Sequence, residues 1–130
     1  MLLGQQQIIL IILAIIIVGL AIAVGLALFS SQHIASSRDA LINDLNNLAA
    51  VAHQFRTTLR AMDGGEGSYS TFAIPTRMTS NENGTYLIDA ASPTMITFRA
   101  VSTGNPSNTI VVTLDSDGRL DNWTYGGDFQ

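Results

Sequence analysis

The chain has no cysteine and no lysine, and no charged side chain precedes Arg38. The missing cysteines exclude thiol chemistry, zinc–thiolate sites and a disulfide framework, without excluding an extracellular address. The six cations are Arg38, Arg56, Arg60, Arg77, Arg99 and Arg119, scattered through a chain of net charge −4. Phosphate binding needs a concentrated basic face, so a nucleic-acid partner is not expected. Aromatics are 7% of the chain. Phe29 and Phe55 are the only ones in the N-terminal half, which gives no support to a stacked aromatic path for electrons. His33 and His53 lack a carboxylate partner in sequence, and His53 beside an apolar stripe reads as structural. No Ser-His-Asp set, phosphate loop or metal cluster stands out, so an enzyme is the least expected class and no cofactor is expected.

What is present is unevenly placed. Ile8 to Phe29 is a run of 22 residues made of Ile, Leu, Val, Ala, Gly and a final Phe. At about 1.5 Å per helical residue it spans the ~30 Å hydrocarbon core of a bilayer. It is longer than the h-region of a cleaved signal peptide and has no basic residue before it. A plain single-pass anchor usually carries Lys or Arg on its cytoplasmic flank. Here the run is preceded instead by Gln5, Gln6 and Gln7.

The helix is expected to continue beyond the apolar run. Neither Gly nor Pro occurs between Leu26 and Met62. Leu41, Leu45, Leu48, Ala52, Phe55, Leu59 and Met62 repeat at spacings of four and three, which predicts one helical stripe. Leu41, Leu45, Leu48, Phe55 and Leu59 are the residues expected to hold a folded head on this helix. Asn43, Asp44, Asn46, Asn47, Arg56 and Arg60 are placed on the remaining surface. Asp63-Gly64-Gly65-Glu66-Gly67 supplies glycines where a left-handed cap is wanted. Gly19 and Gly25 are the weak points of the first half, each costing about 1 kcal/mol relative to Ala.

From Ser68 onward short β-like runs alternate with turn signals. The runs are Tyr69–Ile74, Thr85–Ala90, Met95–Val101, Thr109–Leu114 and Arg119–Tyr125. Strands this close in sequence cannot be parallel without long crossovers. The expectation is an antiparallel meander of about four strands packed on the Leu41–Met62 stripe, an α+β class. The organisation is then a hydrophobic helix half over 1–31 and a head over 32–130. The head comprises an amphipathic helix half 32–62, a Gly-rich loop 63–68 and a β-meander 69–130.

Two weaker signals lie in the head. Asp115, Asp117 and Asp121 surround Gly118, and carboxylates at this density can ligate Ca²⁺. A hairpin turn accounts for Asp and Gly equally well. Asn83-Gly84-Thr85 and Asn122-Trp123-Thr124 match the N-glycosylation pattern.

The order of parts, with the stretches Gln5 to Leu13, Ile17 to Gly25, Arg38-Asp39-Ala40 and Asn43 to Ala50, resembles the type IV pilins and type II secretion pseudopilins. It is similar to a bacterial pilin-like group whose members start with a GQQQ segment. The resemblance covers residues 4 to 62 and is architectural beyond. It implies a subunit held in the inner membrane, cut by a prepilin peptidase, often methylated at its new N-terminus, and drawn by assembly machinery into a helical homo-oligomer on the cell surface. The assembly residues would be Met1, Gln5, Gln6, Gln7, Ile8, Leu13, Ile16, Gly19, Gly25 and Phe29. Some pseudopilin heads bind Ca²⁺ in their C-terminal region, so the resemblance keeps that reading open. Such pilins usually carry Glu at the fifth mature position. Counting from Met1 that position is Gln5; cleavage after Gly4 would instead start the mature chain at Gln5, and the first is favoured. The Pro that marks a melted stretch in many bacterial pilins is missing, which leaves Gly19 to Gly25 as the candidate for melting. A pseudopilin, or a monomeric membrane-anchored binding domain, are the alternatives.

Overall fold

A computed structural model describes residues 2–130, and the side chains of 4–130. Met1, expected to take part in assembly, lies outside the described residues. The first element is one helix, α1 (Leu2–Thr57), followed by a four-stranded sheet. The chain divides into two compact units, 1–34 and 35–130. That boundary falls just past the expected one at 31/32.

α1 is helical through both Gly19 and Gly25, so the residues that were candidates for melting stay in the helix. It stops at Thr57, five residues before the sequence stripe ends. The Thr57 hydroxyl donates to the His53 and Gln54 carbonyls at 3.2 and 3.0 Å, and the Thr58 hydroxyl donates to the Gln54 carbonyl at 2.6 Å. Such back-bonding offers the backbone an alternative to another helical turn. The chain then folds back and satisfies the terminal carbonyls. Gly65 N–H donates to the Phe55 carbonyl at 2.8 Å, Gly67 N–H to Arg56 at 2.6 Å and Glu66 N–H to Thr58 at 2.9 Å.

Two expectations are corrected here. Leu59 does not hold the head on the helix: it is extended (φ −64°, ψ 147°) and 58% exposed, ahead of a short 3₁₀ turn at Arg60–Met62. Leu59→Ala should therefore change the urea midpoint by the equivalent of no more than about 0.5 kcal/mol, the range of surface substitutions. A loss the size of a core truncation would contradict that placement. The left-handed cap itself falls on Asp63 and not on a glycine. The left-handed positions are Asp63 (φ 62°), Glu66 (φ 50°) and Gly67 (φ 88°). Gly64 is needed for close approach, since a Cβ there would lie 2.2 Å from the Thr58 carbonyl oxygen.

The strands are β1 (Gly84–Ala91), β2 (Ile96–Ser102), β3 (Thr109–Leu114) and β4 (Leu120–Gly126). They pair antiparallel in the order β1-β2-β3-β4, an up-and-down meander. The period-two alternation decides what is buried. Ile96, Phe98 and Ala100 of β2 and Ile110, Val112 and Leu114 of β3 are all fully buried, while their neighbours are half-buried. Register places Phe98 between Ile88 and Val112, and Ala100 between Tyr86 and Ile110. This face packs on Leu41, Leu45, Leu48, Ala49 and Ala52 of α1, all buried. The result is the α+β architecture of one long helix packed against an antiparallel sheet.

Tyr69–Ile74 is not a strand. Tyr69 and Phe72 are both buried, and Phe72 N–H donates to the Tyr69 carbonyl at 2.9 Å in a turn. A strand would send residues three apart to opposite faces. The turn sends both aromatics into the core, where the Phe72 ring meets Phe55 at 5.3 Å and Phe98 at 6.2 Å.

Candidate functional site

Two regions stand out, one exposed and apolar and one polar and internal to the head. The first is the apolar segment of unit 1–34. From Ile8 to Phe29 every large apolar side chain is 50–70% exposed, with Leu13 at 50%, Ile16 at 53% and Phe29 at 70%. Gln5, Gln6 and Gln7 are exposed as well. A Cβ added at Gly19 or Gly25 would meet nothing within 4 Å, so neither glycine serves a contact within the chain. A helix that is apolar all round needs apolar cover on every side. α1 is long and apolar enough to cross a membrane.

The second region ties helix to sheet within the head. Asp44 projects from α1 between Leu41 and Leu48. Its Oδ2 accepts hydrogen bonds from Asn81 Nδ2 at 2.9 Å, from Asn83 Nδ2 at 3.1 Å and from the Tyr86 hydroxyl. The Asn81 side-chain oxygen in turn accepts from the Asn83 and Gly84 N–H groups at 2.8 and 3.1 Å, which fixes the approach to β1. Burial opposes ionisation of Asp44, but the bonds from Tyr86, Asn81 and Asn83 outweigh it and hold its carboxyl below the usual value. Burial, and then the Asp44 bond and charge, push the Tyr86 phenol far above its ordinary range.

A second tie runs through Arg56. Its guanidinium donates to the Pro93 and Ser116 carbonyls, both at 3.3 Å, and lies 5.5 Å from the Tyr69 ring centre. The Tyr69 hydroxyl donates to the Asp115 carbonyl at 2.6 Å. Burial raises the Tyr69 phenol, against the pull of the Arg56 charge. Arg38 sits over the Tyr125 ring at 5.7 Å. Asp44 and Arg56 therefore do not lie on open helix surface, where the sequence pattern places them. Spacing held the signal: Asp44 is three residues from Leu41 and four from Leu48, and Arg56 is four from Ala52. Each lies in line with the buried stripe, where a charge needs partners.

Of the two readings of Asp115, Asp117 and Asp121, Ca²⁺ ligands or a hairpin turn, the structure shows the turn. Among the described residues no group of three His, Asp or Glu side chains could hold a metal ion. Asp115 Oδ1 is used by the turn, accepting from the Asp117 and Arg119 N–H groups at 3.0 and 2.8 Å. Asp121 Oδ1 accepts from the Asn122 N–H at 2.8 Å. Gly118, at φ 87°, closes the hairpin against the His53 ring.

The two glycosylation sequons differ in access. The Asn83 amide nitrogen, the atom that would carry a glycan, is donated to Asp44. Asn122 is exposed, at φ 55° in the irregular β3–β4 pairing. Compared with protein-family models, curated proteins and solved structures, the chain finds no match.

Proposed function

We propose that this chain is the major structural subunit of an extracellular type IV pilus-like helical filament. Its apolar helix is held in the inner membrane before assembly and packs against sister helices afterwards. The observation that carries the reading is the all-round exposure of Ile8 to Phe29 next to a head with its own core. Leaving lipid for water would cost about 25 cal/mol per Å² of that surface. Packing many copies side by side hides the same area again. The absence of any charge before Arg38 supports this, because a helix bundled among its copies tolerates no unpaired ion. Gln5, Gln6 and Gln7 fit the same setting, since neutral amides can hydrogen-bond across helices.

The test is electron microscopy of material sheared from the cell surface, with mass spectrometry of its N-terminal peptide. Long fibres with this chain as main component are expected. Short, cell-bound assemblies would favour the pseudopilin alternative. A chain that remains a monomer in the inner-membrane fraction, with no fibre present, overturns the reading.

A further inference from the structure

Outside the apolar segment, the most exposed large apolar side chains are Leu59 at 58% and Met62 at 71%. They share one loop, and that loop is not slack. Met62 and Gly64 N–H both donate to the Leu59 carbonyl, at 2.9 and 3.1 Å, and Asp63 N–H donates to Arg60 at 3.1 Å. Together with the bonds back to Phe55, Arg56 and Thr58, these hold two apolar tips out in a fixed shape. Ordering such a knob in advance lowers what association must pay for later.

The head also carries an unfilled groove of about 470 Å³ beside α1. Ala49, Ala50, Leu120 and Trp123 give it apolar walls, and Asn46 and Arg119 stand at its margin. Short alanines facing a tryptophan leave room that no side chain of this chain takes. The charges around the two features are complementary. Arg60 is 79% exposed and only loosely paired, 3.9 Å from Glu66, and Asp63 stands next to the knob. The groove's turn carries the exposed Asp117 and Asp121 on either side of Arg119.

We propose that the Leu59–Asp63 loop of one copy seats in the Ala49–Trp123 groove of a second copy. Leu59 and Met62 fill the apolar walls, Arg60 meets Asp117 and Asp121, and Asp63 meets Arg119. A knob and a hole at separate places on one chain make a heterologous contact, which repeats into an open helix when the rotation does not close. This contact rests on the filament reading and names the head surface that sets the filament's geometry.

The chain has no cysteine, so introduced pairs report unambiguously. Full-length Ala50→Cys with Met62→Cys, treated as intact fibres with a short bis-maleimide, should give a ladder of oligomers, and neither single variant should give a cross-linked dimer. Leu59→Asp with Met62→Asp should leave the head's urea midpoint unchanged, because both sites are exposed, yet cut fibre yield at least tenfold. Normal fibres from the aspartate variant, with no ladder from the cysteine pair, overturn the contact while leaving the filament standing. A cross-linked dimer from either single variant, or cross-linking of Ala50→Cys to a different protein, also overturns it. No fibres from the unaltered chain remove both readings.

Discussion

Leu13→Arg should abolish surface fibres while leaving the head folded. Leu13 is the sixth of the 22 residues of the Ile8–Phe29 run, half-exposed in a segment with no charge to pair with. In a bilayer an Arg costs at most about 2.5–3.5 kcal/mol on insertion scales, the value at the centre of a span, and snorkelling softens it toward the ends. Between packed helices there is no such escape, and an unpaired buried ion costs several kcal/mol. In a helical filament of the kind proposed, each copy would touch more than one neighbour, so the penalty would recur at every step of growth. Ile16→Asp should act alike, and Leu13→Ala, which buries no ion, should be mild by comparison. The readouts are fibre counts by electron microscopy and membrane association by carbonate extraction. Fibres lost with membrane association retained place the defect in assembly. Abundant normal fibres from Leu13→Arg would falsify the filament reading.

How much of this was legible in the sequence depends on the range of the interaction that decides each feature. Periodicity is local, so α1 and the four strands could be read, with Thr109–Leu114 falling on β3 itself. Antiparallel order followed from connections too short for a crossover. The misread features were decided by contacts far away in the chain. Leu59 continues the stripe by spacing, but Gly65 and Gly67 capture the carbonyls of Phe55 and Arg56 and end the helix earlier. Tyr69 and Phe72 fit a strand by composition, yet the core needs both on one side. Asp115, Asp117 and Asp121 cluster in sequence, but the hairpin spends the Asp115 carboxylate on its own backbone. Asp44 was hidden differently. Its spacing from Leu41 and Leu48 marks it as inward-facing, but its partners come from 37 to 42 residues away. The apolar segment was the easiest to read, because composition alone determines that it needs cover.

Asp44 gives the second large effect, on stability. Asp44→Ala removes the acceptor for Tyr86, Asn81 and Asn83 at one stroke, leaving a buried phenol and two amides to find other partners. Hydrogen bonds to a charged group contribute about 1.5–3 kcal/mol, and three donors sharing one oxygen do not add fully. The expected loss is therefore about 2–3 kcal/mol, read as a fall in the urea midpoint of the full chain in detergent. Trp123, the only tryptophan, provides the fluorescence signal. The same lock predicts a pH dependence of definite sign. The folded carboxyl lies below its ordinary value of 3.8, so the unfolded chain binds the proton more readily. The stabilisation is then complete above the unfolded value and is lost as pH falls through the folded one. Between about pH 6 and about pH 2 the unaltered chain should lose more stability than Asp44→Asn, which starts lower and has no proton to take up at that site. Parallel losses in the two proteins would mean that the acid response comes from other carboxylates and that the Asp44 lock is not ionised in the fold.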